Sequence, residues 1–266
     1  MQFNPDKTGS LLRELWEELR LLKQHPKLIP NFILITLLRL PESLINLTKN
    51  AKQTFFNTRE FPWVQTIEDN WLTIRQELDT QLRALDAIPN FQDIQFEQKL
   101  LTDDNKWKTY ILYAYGKRVE KNCNECPETA RLVESIPQMT TALFSILDGQ
   151  KELPVHRGPY KGVLRYHLAL KVPEPADHCG IRVKNDVRHW EEGESLVFDD
   201  SHEHAAWNRT NHTRVVLFVD FLRPLPPVLS WLNKAVVRAI GNSGFITNLF
   251  ENLDRWHEKL DEIKAS

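Results

Sequence analysis

Apolar residues recur at three- and four-residue spacing over the first 85 residues, a pattern that predicts helices. Leucines from Leu12 to Leu22 share one face of the first helix, and prolines 26 and 30 end it. A second, strongly apolar helix is predicted over Ile29–Leu47. A third is predicted over Trp63–Leu85, because no glycine or proline interrupts its apolar face.

The period changes to two from Trp107 onward. The run Trp107–Val119 alternates aromatic and aliphatic residues as a strand does, and Gly116 within it suits a turn. A short helix fits 127–137, and the last forty residues return to helical spacing. Further strand-like runs, separated by Pro, Gly, Asp and Asn, cover 141–147, 162–172, 179–185, 195–200 and 213–222. Regularly spaced short strands of this kind predict a sandwich or jelly roll.

These patterns divide the chain into three parts. We expect an N-terminal helical extension over residues 1–60, a β domain over 61–226 and a C-terminal helical segment over 227–266. A chain of 266 residues is long enough to bury one substantial core together with such extensions.

Composition narrows the function classes. The formal net charge of −2 argues against nucleic acid as a partner, because phosphate binding needs a basic excess. The three cysteines cannot all pair within the chain, and the N-terminus lacks the apolar stretch of a secretory leader, so we expect a cytoplasmic location.

Cys123 and Cys126 have CxxC spacing, which a zinc site or redox pair could use. Without a second CxxC they are predicted to be free thiols in a loop.

The apolar stretch Ile29–Leu47 qualifies the prediction of a soluble protein. It is broken by Pro30, Arg39 and Pro41, so it falls short of the roughly 20 apolar residues that a spanning helix needs. Such a segment can lie in a membrane interface or pack on the main domain. The packed helix is preferred, and peripheral membrane contact through residues 29–47 is the alternative.

Two histidines frame the candidate chemistry. His156 follows a proline and precedes a Gly-Pro turn, which places it at a strand end, and His204 is predicted to lie in the loop after the strand over residues 195–200. Histidines at a barrel mouth suit a metal site, because an open coordination position must face the substrate. Taken singly, each is more often a solvated loop residue.

Charged residues in the apolar strands add to this picture. Arg165 and His167 are two residues apart and point to one face together with Val163. If that face is the barrel interior, burial is costly unless the charge meets an anion or a hydrogen-bonding ligand; the alternative is a solvent-exposed face. Arg214, which opens the apolar run to Leu222, raises the same question.

The blocks HRGP, LRYHLAL, HWEEG, FDDSHEHAAWN and RVVLFVD resemble, in order and spacing, the aspartyl/asparaginyl β-hydroxylase family of iron(II)- and 2-oxoglutarate-dependent dioxygenases. The resemblance runs from about Trp107 to Pro226, a little under half of the chain. It implies a double-stranded β-helix, the cupin-like jelly roll, with Fe(II) held by His156 and His204. Most such oxygenases add a carboxylate ligand; here that position is Gly158, as in the family's protein-acting members.

The resemblance also implies the roles of the remaining site residues. Asp200 would hydrogen-bond a water that completes the iron site. Arg214 would bind the distal carboxylate of 2-oxoglutarate, with Ser145 donating a hydrogen bond, because a guanidinium matches a carboxylate with two parallel hydrogen bonds. His167 and Arg165 would address the other carboxylate or the substrate. O2 is the third reactant, and succinate and CO2 are the co-products.

The implied reaction is hydroxylation of an unactivated C–H bond, first of all at the β-carbon of an Asp- or Asn-type residue, in a peptide or a small molecule. Two departures weaken that substrate. Protein-acting members carry an arginine where Val163 stands and a disulfide whose second half is Ala130 here. One alternative is an acyl-chain hydroxylase similar to the lipid A hydroxylases of the superfamily, which the apolar segment over residues 29–47 favours. Another is a non-catalytic cupin-like binding module.

Overall fold

The computed structural model describes residues 41–95, 98–99 and 101–265. The helix predicted over Leu12–Leu22 and most of the one predicted over Ile29–Leu47 lie outside these residues. Of the second, residues 41–45 are helical, and Ile45 is buried. Among the described residues, no helix is both long enough and apolar enough to cross a membrane.

Most of the described core is built from antiparallel strands, as the period-two runs predict. The strands are β1 Phe55–Phe56, β2 Trp107–Ala114, β3 Lys117–Arg118, β4 Met139–Leu147, β5 Lys151–His156, β6 Val163–Lys171, β7 Cys179–Val183, β8 Asp186–His189, β9 Ser195–Phe198, β10 His204–Asn208 and β11 Arg214–Leu222.

The strands form two sheets that face each other. The larger has the order β1-β9-β6-β11-β4-β2-β3, and the smaller has the order β5-β10-β7-β8. From β4 to β11 the chain passes back and forth between the two sheets. Within each sheet, strands from the start of this stretch therefore pair with strands from its end, as in a double-stranded β-helix. The predicted jelly roll is therefore confirmed by strand order.

The helices pack on both faces of the larger sheet. They are α1 Trp63–Asp69, α2 Trp71–Leu82, α3 Phe91–Ile94, α4 Glu120–Glu125, α5 Pro127–Glu134, α6 Pro227–Gly241 and α7 Gly244–Ala265, with single 3₁₀ turns at Thr58–Glu60, Leu85–Ala87 and Ala176–His178. The outward face of β6, including Leu164 and Tyr166, packs with Ile74 and Leu78 of α2 in one buried cluster. Alternate residues of β6 therefore face the barrel interior.

Three predictions about local structure are wrong. The helix predicted over Trp63–Leu85 breaks at Asn70, which leaves helical geometry at φ −107° and returns its side-chain amide to the Thr66 carbonyl. Asparagine competes with the helix in this way because its side chain bonds nearby backbone. His204 is the first residue of β10 and does not lie in a loop.

The third concerns the thiols: Cys123 and Cys126 are free, as predicted, but Cys123 lies within α4 and Cys126 at the junction of α4 and α5, and both are buried. Burial raises the pKa of Cys126 to about 12, which leaves its thiol protonated and unreactive.

The predicted N-terminal extension contributes to the barrel. Phe55–Phe56, within the predicted 1–60 segment, pairs with β9 at the edge of the larger sheet. At the other end, α6 and α7 occupy the predicted C-terminal helical segment. Val237 and Ile240 of α6 form one buried cluster with Ile45, Tyr160 and Val163. Leu249 and Leu253 of α7 pack in another cluster against β2 and β4.

Candidate active site

The two candidate metal ligands meet because their strands place them opposite each other. β5 and β10 pair antiparallel in the smaller sheet, and the register sets His156 against His204. Side chains directly opposite on one sheet face lie within contact distance. Their ring centroids are 4.1 Å apart, with the ring planes tilted by 52°. Two imidazoles at this separation are close enough to share one metal ion.

Backbone carbonyls orient both rings. Nδ1 of His156 lies 2.8 Å from the Pro154 carbonyl, and Nδ1 of His204 lies 3.0 Å from the His202 carbonyl. A carbonyl can only accept, so each Nδ1 carries the proton and each Nε2 keeps its lone pair. Burial lowers the pKa of both histidines, that of His204 to about 3, so both rings are neutral at physiological pH. The neutral imidazole is the form that binds metals.

Asp200 lies where a side chain at position 158 would have to go. A Cβ added to Gly158 would come within 2.1 Å of Asp200 Oδ2, and the Gly158 amide donates to the Asp200 carbonyl at 2.8 Å. The carboxylate is fully buried, and neither oxygen accepts a hydrogen bond within the described part of the chain. Burial raises the pKa of Asp200 to about 7 against the opposing effect of Arg165. Glycine at 158 therefore makes room for a carboxylate that comes from another part of the chain.

Arg165 is held by two carboxylates. Asp220 is its direct cross-strand neighbour on β11, and the Arg165 guanidinium donates to both Asp220 oxygens, at 2.8 and 3.0 Å. A terminal nitrogen of the same guanidinium lies 2.8 Å from Asp200 Oδ2, without the angle of a hydrogen bond. Burial would lower the pKa of Arg165, but Asp200 and Asp220 outweigh it and raise that pKa. The charge of Arg165 is thus compensated within the protein.

Arg214 is buried without such compensation. Its side chain is 2% exposed, Nε has no hydrogen-bond partner among the described residues, and the only hydrogen bond found there is a long one, 3.4 Å, to the Ser145 carbonyl. The guanidinium stacks over Trp190 at 4.6 Å from the ring centroid. Burial lowers the pKa of Arg214 to about 10, which leaves it charged at neutral pH. Burial of a cation is costly unless an anion lies beside it, so this position suits an anionic ligand.

Ser145 lies beside that guanidinium with its proton available. The Trp107 indole donates to Ser145 Oγ at 3.1 Å, so the serine hydroxyl is free to donate elsewhere. His167 completes this part of the site. Neither of its ring nitrogens has a hydrogen-bond partner in the described residues, and burial lowers its pKa well below the ordinary value. It is therefore a neutral ring with one donor and one acceptor to offer.

All seven predicted site residues line one cavity. They are Ser145, His156, Arg165, His167, Asp200, His204 and Arg214. The face of β6 that carries Val163, Arg165 and His167 thus points inward, and the solvent-exposed alternative is wrong. Which ligand each residue binds stays a prediction.

The cavity extends from this polar end between the barrel and the C-terminal helices. Its volume is about 200 Å³. The extension is lined mainly by apolar side chains from β2, β4, α6 and α7, among them Ile111, Leu143, Val237, Ile240 and Leu249. The chemistry of these walls suits an apolar group.

The site residues fit iron and 2-oxoglutarate. No group of three or more His, Cys, Asp and Glu residues positioned to hold a metal occurs in the described ranges, so the protein ligands would be the two imidazoles. Asp200 forms an ion pair with Arg165 but accepts no hydrogen bond among the described residues, so its oxygens can accept hydrogen bonds near the imidazoles. Arg214, Ser145 and His167 supply a cation and donors for a small dicarboxylate. These are the partners that such a metal and co-substrate require.

Three contributors were missed in the sequence. Asp220 is the only acidic residue of the apolar run Arg214–Leu222, and it shares a strand face with Arg214, a pattern that could have revealed it. Trp107 donates a hydrogen bond to Ser145, and Trp190 stacks on Arg214. In the sequence, both tryptophans look like ordinary core residues. Only the register and the fold reveal those two contacts.

Strand order and cavity together define a double-stranded β-helix protein with its candidate active site inside the barrel. A model of the aspartyl/asparaginyl β-hydroxylase family matches residues 68–224, more than half of the chain. The chain belongs to this family of hydroxylases, which confirms the resemblance seen in the sequence blocks.

Two relatives within the family differ in how much of their length is shared. The ornithine lipid ester-linked acyl 2-hydroxylase of Rhizobium tropici is 45% identical over 219 residues, which are 82% of this chain and 78% of that protein. The human aspartyl/asparaginyl beta-hydroxylase is 31% identical over 190 residues, 68% of this chain but 24% of that protein. This chain therefore matches about a quarter of the human relative and most of the bacterial one.

Solved structures with a cupin domain also align with the chain. One is the cupin domain of a transcriptional regulator from Enterobacter cloacae, at 11% identity and a TM-score of 0.32, covering 45% of this chain and 99% of that one. A likeness at this level adds nothing to the strand order.

Proposed function

We propose that the protein is an iron(II)- and 2-oxoglutarate-dependent hydroxylase of an acyl chain in a membrane lipid. The observation that carries this proposal is that one cavity is lined both by polar site residues and by apolar walls. The polar residues include the paired histidines and Arg214, which has no ion-pair partner among the described residues. The reaction requires a polar region for the co-substrate and an apolar region for the substrate, and this one cavity provides both.

His156 and His204 would hold the iron through Nε2, with their Nδ1–H groups fixed by the Pro154 and His202 carbonyls. Asp200 would accept a hydrogen bond from a water beside the metal. Bound iron and 2-oxoglutarate would supply the oxidising chemistry that transfers one oxygen atom of O2 to a C–H bond, with succinate and CO2 as co-products.

Arg214 would bind the distal carboxylate of 2-oxoglutarate, with the Ser145 hydroxyl as a second donor. The Trp190 ring holds the guanidinium plane, and Trp107 keeps Ser145 Oγ occupied as an acceptor. His167 would donate to the carboxylate next to the keto group. Because Arg165 is bound to Asp220, we assign it to positioning Asp200 rather than to holding the co-substrate.

The acyl chain is preferred over an acidic residue as substrate for two reasons. Val163 and the internally paired Arg165 leave no free cation among the β6 residues that line the cavity, so a substrate carboxylate has no partner on this strand there. The relative from Rhizobium tropici is named for hydroxylation of an ester-linked acyl chain, and it aligns with most of this chain. The lipid in that name is an ornithine lipid. The alternative drawn from the sequence was instead a lipid A-type lipid.

Hydroxylation of an Asp or Asn residue remains the second candidate, because the human relative carries that name and shares the family domain. The non-catalytic binding module has less support, since all seven predicted site residues converge on one cavity.

The test is incubation of the full chain with Fe(II), 2-oxoglutarate and a bacterial lipid extract, read by succinate formation and lipid mass spectrometry. We expect succinate and an acyl chain heavier by one oxygen atom. His204→Ala should abolish both, and His178→Ala, which alters an exposed histidine that does not line the cavity, should not. Succinate formed only with an Asp- or Asn-containing peptide would favour the second candidate, and no iron-dependent succinate under any condition would favour the binding module.

A further inference from the structure

Helix α6 has two apolar faces with different surroundings. Val237 and Ile240 point inward and line the cavity. On the outer side, near the start of the helix, Val228 is 80% exposed and Trp231 is 72% exposed. Single exposed apolar residues are normal, but a tryptophan and a valine at i, i+3 on a helix that also walls the substrate cavity call for an explanation.

A second segment adds apolar residues to the same region. Ile45 belongs to the buried cluster that contains Val237 and Ile240, so the residues around it lie against α6. Its neighbours Leu44 and Leu47 are exposed, at 46% and 83%. Two adjoining segments therefore each bury one apolar face in the protein and expose another. We call the exposed set, Leu44, Leu47, Val228 and Trp231, the apolar rim.

Basic residues accompany the apolar rim. Lys234 and Arg238 are exposed on α6, which has no acidic residue, and Lys49 and Lys52 are exposed just after Leu47. Within the described part of the chain, none of these four cations forms an ion pair. The protein as a whole has a formal net charge of −2, so this positive charge is local.

We propose that the apolar rim and its four cations dock on the surface of an anionic lipid bilayer. Tryptophan and aliphatic residues insert at the level of the headgroups, and lysine and arginine are attracted by anionic lipids. Since the inner face of α6 walls the cavity, docking through its outer face would bring the cavity close to the acyl chains. The choice of a bilayer as partner rests on the proposed function, but the docking can be measured without it.

The experiment is co-sedimentation of the full chain with vesicles of phosphatidylcholine, with and without phosphatidylglycerol. We expect the wild type to bind the vesicles that contain phosphatidylglycerol. Trp231→Ser should weaken that binding by roughly tenfold or more. Leu72→Ser is the matched control, because Leu72 is similarly exposed, at 64%, but lies on α2. The double variant Lys234→Gln, Arg238→Gln should reduce the preference for phosphatidylglycerol by roughly tenfold or more.

Equal vesicle binding by the wild type and Trp231→Ser would overturn the proposal, as would loss of binding in Leu72→Ser to the same degree. Absence of vesicle binding together with a lower melting temperature of Trp231→Ser would overturn it too, because Trp231 would then pack on another part of the chain. Succinate formation from 2-oxoglutarate, measured without vesicles, keeps this result separate from the proposed function. A wild type that binds vesicles but forms no succinate would retain the docking surface and lose the hydroxylase.

Discussion

Two buried charge clusters differ in whether the protein supplies partners for their charges. Around Asp199, the side chains of Arg223 and Lys161 form ion pairs with one carboxylate, and Ser201 donates to it at 2.6 Å. Around Arg214, the guanidinium has a ring face and one long hydrogen bond to a carbonyl. The charges of the first cluster are paired within the protein, whereas Arg214 has no carboxylate partner among the described residues. Burial alone therefore does not distinguish a structural charge from a binding charge; the partners do.

This difference predicts opposite outcomes when one charge is removed from each cluster. In Asp199→Asn, Lys161 and Arg223 remain buried without their common carboxylate. We expect the free energy of unfolding to fall by about 3–5 kcal/mol, measured by urea denaturation. Asp177→Asn, at an exposed aspartate, is the control. A loss below about 1 kcal/mol would show that the Asp199 cluster is not structural.

The acid stability of the protein should depend on the same carboxylate. Burial would raise the pKa of Asp199, but Arg223, Lys161 and the Ser201 hydrogen bond outweigh it and lower that pKa below its ordinary value of 3.8. A depressed folded-state pKa stabilises the protein above pH 3.8, and this stabilisation is lost as the pH falls through the lowered value. The unfolding free energies of the wild type and Asp199→Asn should therefore differ at pH 7, and the difference should shrink as the pH falls below about 4 towards the lowered pKa. A constant difference over that range would contradict the ion pairing.

In the other cluster, Arg214→Met should leave the fold intact and remove co-substrate binding. The free energy of unfolding should not decrease by more than about 1 kcal/mol, because the charge it removes is uncompensated. The affinity for 2-oxoglutarate should fall by about 2–5 kcal/mol, since a desolvated carboxylate loses its charged partner. Anaerobic calorimetric titration of the Fe(II)-loaded protein measures it. An unchanged affinity for 2-oxoglutarate together with a lower free energy of unfolding would mean that Arg214 stabilises the fold and does not bind the co-substrate.

The smallest effect is expected at Trp107. Trp107→Phe keeps the ring and removes the indole N–H that donates to Ser145 Oγ. The serine hydroxyl is then less firmly oriented, and the affinity for 2-oxoglutarate should fall by about 1 kcal/mol, read by the same titration. A loss as large as that of Arg214→Met would mean that Trp107 itself contacts the co-substrate.

The sequence predicted the larger sheet better than the smaller one. Strands β4, β6 and β11 are long and apolar because both of their faces are buried, and such runs are recognisable. Strands β5, β8 and β10 were not predicted from the alternation of apolar and polar residues. All four residues of β8 are exposed, and β5 contains a proline and polar residues. Their pairing depends on neighbours distant in the chain, which periodicity does not report.

The candidate site, too, could be predicted from the sequence only in part. The blocks around His156, Arg165, His204 and Arg214 named residues that the fold does bring together. The pairing of Arg165 with Asp220 was not foreseen, because it depends on the register between β6 and β11. The apolar extension of the cavity was not foreseen either, since Leu143, Val237 and Leu249 look like ordinary core residues in the sequence.

The most direct test of the account is whether the histidine pair binds iron. X-ray absorption at the iron edge, on the full chain loaded anaerobically with Fe(II) and 2-oxoglutarate, reports the ligands of the metal. We predict one iron per chain, with two imidazole nitrogens among oxygen ligands, and loss of the bound iron in His204→Ala. Iron bound equally by the wild type and His204→Ala, or an iron without imidazole ligands, would contradict the account.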